Sequence, residues 1–405
     1  MVEKNSIDKV IVANCKHGGL AAIRSLGRRG LYVIAMTHSR GDFGTASKYI
    51  KEHAWCPDPA NEDAILDYLL KNGPRWQGAL ILETSDYFSV VLSKYKSELQ
   101  QYYHVSTPDW PIVQTFIDKD ETYKLADECD VPHPSVFYPR TTSELDSFID
   151  RIAFPVMIKP VRSHEFSRIF RRKHFIAENV DELCRDFQQT LDAGQPVMLQ
   201  EIIPGTDEGA IEREYVYINS RNDIGCELFS VKLRQTPPLF GIMRVGKSLA
   251  RNDEAKELTR RLLQGVNYKG LADVEYKRDP RDNRLKLIEV NVRIPSSIQV
   301  IIADGGDVPW IIYQDLVHDN QIICDGIEGD MYVYDLISDL QDALLEDKGL
   351  YSIGSYFRPY FAKRKTFFVL SSSDPLPFFK QAAEMPVKAY QKLSKRFRPD
   401  KENLP

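Results

Sequence analysis

Short apolar runs and amphipathic stretches take turns along residues 9 to 107. KVIVANC (9–15), LYVIAMT (31–37), GALILET (78–84) and YYHVST (102–107) predict short buried strands. LAAIRSLGRRG (20–30), NEDAILDYLLKNG (61–73) and SDYFSVVLSKYKSELQ (85–100) space their apolar residues for helices. Such alternation builds a parallel, doubly wound sheet whose ligand crevice lies at the carboxyl ends of the strands. Those ends are residues 14–19, 37–40 and 83–86.

Pro108 and Pro111 mark a linker. Beyond it the pattern is mixed. FIDKDETYKLADECDVPHP predicts a helix that starts near Asp118 or Asp120 and stops before Pro132. PVMIKP is a buried strand ending in Lys159, DELCRDFQQTLDAG a helix with a Gly stop, and VMLQEIIPG a strand with a Pro-Gly break. Residues 213–248 read as antiparallel strands, and NDEAKELTRRLLQG as an amphipathic helix. From 270 to 293 two strands flank the polar turn RDPRDNR. In the first, Leu271, Asp273 and Glu275 alternate with Ala272, Val274 and Tyr276. In the second, Leu285, Leu287, Glu289, Asn291 and Arg293 alternate with Lys286, Ile288, Val290 and Val292. A helix–turn–helix follows, and residues 326–405 are patterned weakly, ending in a basic stretch best read as a solvated helix.

At 405 residues the chain is long enough for two or three domains. Its formal charge of −5 argues against a nucleic-acid partner. Six scattered Cys without a C-x-x-C pair favour reduced thiols and a cytoplasmic protein. The amino terminus lacks a signal-peptide core, and no apolar run is long enough for a transmembrane helix. C-K-H-G-G-L after the first strand is not a dinucleotide fingerprint.

The second strand of the 270–293 hairpin carries the chemistry. Residues two apart share a face, so Glu289, Asn291 and Arg293 point together, and Glu275 joins them if the strands pair around the turn. Carboxylates with an amide oxygen form a hard-oxygen set suited to Mg²⁺, which takes few protein ligands alongside substrate phosphates. Polar alternation usually marks only a solvated face, but E-x-N-x-R opposite an acidic strand favours the metal reading.

VEYKRDPRDNRLKLIEVNVR resembles the metal-binding hairpin of the ATP-grasp superfamily, in its carboxylate–amine ligase (D-aspartate ligase-like) branch. The resemblance implies an α/β and α+β chain: a Rossmann-like parallel-sheet domain (1–110), then a two-lobed ATP-grasp domain (small lobe 111–195, large lobe 196–325) and an extension (326–405). It implies ATP and two Mg²⁺ ions, with Mn²⁺ an acceptable substitute, on Glu275, Glu289 and Asn291. Lys119 and Lys159 match the phosphate lysines. Gln200, Glu201 and Ile203 match the adenine hinge, Asp207 best matches the ribose position, and Glu208 comes second. RSHEFSRIFRRKHFIAEN stands where relatives often have a glycine-rich loop; Arg162, Arg168, Arg171, Arg172 and Lys173 supply cations instead. Arg293, with Lys232 and Arg234 of K-x-R-Q-x-P-x-x-x-G, fills the catalytic positions.

The implied activity joins a small carboxylic acid to an amine, amino acids among the candidates, through an acyl phosphate, with release of ADP and phosphate. Two alternatives stay open: another ATP-grasp reaction, such as bicarbonate activation or phosphotransfer, and a nucleotide-binding protein without turnover. Neither substrate is named by the sequence, and a homodimer is left open.

Overall fold

The computed structural model describes residues 8–161, 166, 169–172, 174–205, 211–238, 241–324, 328–345 and 353–384. Its first sheet is parallel and five-stranded, with order β3-β2-β1-β4-β5. The strands are β1 (Lys9–Ala13), β2 (Tyr32–Thr37), β3 (Ile50–Trp55), β4 (Ala79–Glu83) and β5 (Tyr103–Val105). The order reverses at β1, which pairs with β2 on one side and β4 on the other. A ligand crevice therefore belongs at their carboxyl ends. The apolar pattern gives no sign of β3. Its sequence, IKEHAW, buries only Ala54 fully, because an edge strand needs no continuous apolar run.

A four-stranded sheet follows, of order β6-β9-β7-β8, from β6 (Val136–Phe137), β7 (Val156–Pro160), β8 (Phe175–Ala177) and β9 (Val197–Glu201). It has its own core, in which Phe166, Phe175, Phe187, Ile158 and Leu199 pack together. The third sheet has seven strands in the order β14-β13-β10-β11-β12-β15-β16. These are β10 (Ile211–Ile218), β11 (Ile224–Thr236), β12 (Ile242–Leu249), β13 (Gly270–Arg278), β14 (Leu285–Asn291), β15 (Tyr332–Tyr334) and β16 (Lys365–Phe367). Thus residues 197–201, expected in the large lobe, pair inside the four-stranded sheet. Segments 332–334 and 365–367, within the expected extension, lengthen the large sheet.

One face of the large sheet packs on the helix Asp253–Gln264, whose Leu258, Leu262 and Leu263 meet Val274, Tyr276, Leu285, Leu287, Val290 and Val292. Asn252 caps that helix by accepting from Ala255 N at 3.0 Å. The other face shares a core with the N-terminal unit: Leu20 and Ile23 of the helix His17–Arg28 join Tyr215, Leu228, Ile298 and Ile301. The carboxyl-terminal part returns to the same helix. Arg24 donates to Asp374 at 2.9 Å and to the Val369 and Asp374 carbonyls at 2.8 Å, with both side chains buried.

The simple alternation expected for 285–293 needs correction. Glu275 pairs with Glu289, but the next pair is Tyr276 with Leu287, so Ile288 is an extra residue on β14. This bulge shifts the strand's phase. Leu285 and Leu287 before it share the core with Val290 and Val292 after it, while Glu289 and Asn291 turn to the other face. All six cysteines are free. No described helix is long and apolar enough to cross a membrane.

Candidate active site

The hairpin places its acidic residues as facing pairs, Glu275 with Glu289 and Asp273 with Asn291. β10 lies next to β13 and sets Arg213 opposite Glu275. Burying these charges is tolerable only because they are paired. Arg213 Nε donates to Asp273 Oδ1 at 2.9 Å, Nη1 to Ser297 Oγ at 2.8 Å, and Nη2 lies 3.0 Å from Glu275 Oε1. Lys232, from β11, donates to Glu275 Oε2 at 2.7 Å. Neither Arg213 nor Asp273 is among the site residues expected from the sequence. Their signal was a cation between two acids in β10 and an acid within β13, on strands buried on both faces.

Glu289 sits among cations. Burial would raise its carboxyl, but Lys159, Lys232, Lys119 and Arg213 together hold it well below the usual carboxylate range. Lys159 feels the reverse. Burial, and then Lys119, push its ammonium down to about 7 against the attraction of Glu289 and Glu275. Lys119 starts the helix Lys119–Glu128 and Lys159 lies in β7, so two elements bring lysines to one carboxylate of a third. A polar relay ties them to the bulge. Lys159 donates to Gln200 Oε1 at 3.1 Å, Gln200 Nε2 to Tyr123 Oη at 3.1 Å, and Tyr123 Oη to the Ile288 carbonyl at 3.0 Å.

Arg293 lies beside the hairpin face. Its Nε donates to Asp86 Oδ1 at 2.6 Å and its Nη2 to Asn291 Oδ1 at 3.2 Å. Asn291 Nδ2 in turn donates to Asp273 Oδ2 at 3.2 Å. A divalent ion fits this set chemically, with Glu289, Glu275 and the Asn291 carbonyl oxygen as hard donors. Here the Glu275 oxygens neutralise Lys232 and Arg213, and the Asn291 oxygen accepts from Arg293. Among the described residues no group of three or more His, Cys, Asp and Glu is disposed to hold a metal. Any ion would rest on two carboxylates and an amide, completed by substrate oxygens.

Other expected site residues fall elsewhere. Arg234 is bound to Asp339, its Nε 2.8 Å from Oδ1, and it stacks on Tyr356 with 4.3 Å to the ring centre. A register irregularity between Lys232 and Arg234 breaks the alternation that would give them one common face. At the hinge, the Glu201 amide donates to the Ser135 carbonyl at 2.9 Å and the Ile203 carbonyl accepts from Lys277 at 2.7 Å. Glu201 itself pairs with Arg281 at 2.6 Å. Arg171 and Arg172 are exposed. Lys173, Asp207 and Glu208, like Arg162 and Arg168, lie outside the described residues.

The crevice of the five-stranded sheet opens onto the same place. The Ile294 amide donates to the Glu83 carbonyl at 3.2 Å. A Cβ on Gly18 would stand 2.7 Å from the Pro295 carbonyl oxygen, so only glycine permits this approach. Nearby, His17 lies 3.1 Å from buried Asp335, which also accepts from Gln381 at 3.0 Å. By contrast, a surface cavity of about 370 Å³ lined by Gln77, Tyr103 and Leu316 opens at the amino ends of β4 and β5, away from these groups.

No protein-family model matches the chain. A D-aspartate ligase of Enterococcus faecium is 23% identical over 253 residues, a match covering 60% of this chain and 60% of the relative. Among solved structures, N5-carboxyaminoimidazole synthetase from Staphylococcus aureus complexed with ADP superposes with a TM-score of 0.65 at 13% identity, covering 84% of this chain and 85% of that one. L-amino acid ligase from Bacillus licheniformis superposes with a TM-score of 0.59 at 15% identity, covering 76% and 74%. Over most of its length the chain shares the fold of these two neighbours.

Proposed function

We propose that the chain is an ATP-dependent ligase that joins a carboxylic acid to an amine through an acyl phosphate. The observation that carries this reading is the gathering of Lys119, Lys159, Lys232 and Arg213 around Glu289, from a helix, the four-stranded sheet and the seven-stranded sheet. So many cations need more anionic charge than the hairpin offers, and a triphosphate supplies it. Lys119 and Lys159 clamp the phosphates. The Glu201 carbonyl and the Ile203 amide are left to read adenine, since their companion groups are already bonded. Glu289, Glu275 and Asn291 would hold Mg²⁺, whose chemistry is to neutralise charge on the phosphate oxygens.

The reaction needs no protein nucleophile. The acid's oxygen bonds to the γ-phosphorus as ADP leaves, and the amine nitrogen then bonds to the acyl carbon as phosphate leaves and the nitrogen loses its proton. Positioning and electrostatics carry both steps, with Arg293 and Lys232 beside the developing charge. The names of two relatives, D-aspartate ligase and L-amino acid ligase, make amino acids the first substrates to try.

ADP release is screened with pooled carboxylates and amines, and hydroxylamine then replaces the amine. A hydroxamate formed with ATP and one acid is the expected result. ADP release that needs only bicarbonate would move the assignment to bicarbonate activation. A stable phosphorylated acid with no hydroxamate would make the protein a kinase. AMP with pyrophosphate would replace the acyl phosphate by an adenylate.

A further inference from the structure

Arg293 follows the hairpin, yet it is gripped from the N-terminal unit. Asp86, the first residue of the helix Asp86–Lys94, accepts from its Nε at 2.6 Å. The helix amino terminus favours an anion at that place. Two backbone contacts close the same seam: the Ile294 amide on the Glu83 carbonyl, and Gly18 against Pro295. With the main chain fixed beside Arg293, the guanidinium's direction is set by its side-chain partners, Asp86 and the Asn291 oxygen. Of the two, the ionised carboxylate makes the stronger hydrogen bond.

We propose that Asp86 is a positioning residue for the ligase reaction. It aims the Arg293 guanidinium at the charge that develops on the transferred phosphoryl group and on the acyl carbon's oxygen. This rests on the ligase reading above. The Asp86 side chain is 56% exposed and that of Arg293 is 19% exposed. An ion pair so placed contributes little to stability, so its effect falls on geometry.

The test compares full-length wild type with Asp86→Asn and Asp86→Glu. The Arg293 Nε–H resonance, identified by its loss in Arg293→Lys, is followed in protein labelled with ¹⁵N-arginine. It should be sharp and slowly exchanging in wild type, broadened or lost in Asp86→Asn, and restored in Asp86→Glu. With an acid and amine that support turnover, kcat of Asp86→Asn should fall about 10–100-fold, the effect typical of removing an orienting partner. KM for ATP should stay within about two-fold, with melting unchanged and most of kcat recovered in Asp86→Glu. An unchanged resonance in Asp86→Asn, or wild-type kcat, would overturn the assignment. If wild type releases no ADP with any acid and amine, the ligase reading fails, and the resonance still decides whether Asp86 directs Arg293.

Discussion

Lys159 carries a lysine ammonium whose pKa is driven down to about 7 by burial and by Lys119. Above that pH the folded protein holds it largely neutral, whereas the unfolded chain keeps it charged up to the usual lysine range. The folded state therefore binds fewer protons between about pH 7 and pH 10, and stability rises with pH across that window. Phosphate oxygens beside the ammonium favour its charged form. Nucleotide binding at pH 8 should then take up close to one proton, seen as a buffer-dependent binding enthalpy, and Lys159→Met should abolish the uptake. Glu289→Gln keeps the volume and removes the charge that four cations surround, so ADP release should vanish while the melting temperature changes little. Wild-type turnover in that variant would remove Glu289 from the site. Lys119, Lys159 and Glu289 were legible because polar groups interrupt apolar runs or open a helix. Arg234 was not, because a register irregularity decides which face it shares, and no alternation in the sequence reveals one.

The carboxyl end of β4 is an element under electrostatic strain. Glu83 is buried, and burial pushes its carboxyl up to about 7, although Ser106 Oγ donates to it at 2.9 Å. A carboxyl raised in this way stabilises the fold fully at acid pH. That contribution is lost as pH rises through about 7. Glu83→Gln keeps an acceptor for Ser106 and removes the titration. Its melting temperature should exceed that of wild type at pH 8 and match it at pH 5; an equal difference at both values would refute burial of the charge as the cause. The elements themselves were legible to uneven depth. Aliphatic strands such as β1, β2 and β4 stand out, whereas β3 hides because an edge strand exposes every second residue. The hairpin was readable from its Asp-Pro turn and acidic alternation. Its bulge was not, because LKLIEV satisfies one phase as well as the other until Tyr123 and the opposing β13 select Ile288 as the extra residue.

Across the whole molecule, Arg24 and Asp374 join parts of the chain 350 positions apart, with neither side chain open to solvent. Arg24→Ala strands a buried carboxylate that, among the described residues, keeps Ser47 Oγ and the Lys48 amide as donors. It should cost about 3–5 kcal/mol in thermal or denaturant unfolding. Arg28→Ala, which loses an exposed contact to Ser373, should cost almost nothing. The separate core of the four-stranded sheet has a mechanical consequence. The large sheet and the N-terminal unit share one interior and behave as an anvil carrying the carboxylates and Arg293. The smaller sheet is held to it near the site by the relay through Gln200 and Tyr123, and on the ligase reading it would act as a hammer that brings Lys159 down on the nucleotide. Polar contacts of this kind break and remake more readily than a shared apolar interior, so the hammer is the half free to swing. Amide hydrogen exchange should slow on ADP binding across residues 136–201 and scarcely change in β10 and β13, and equal slowing in both halves would mean that the molecule closes as one block.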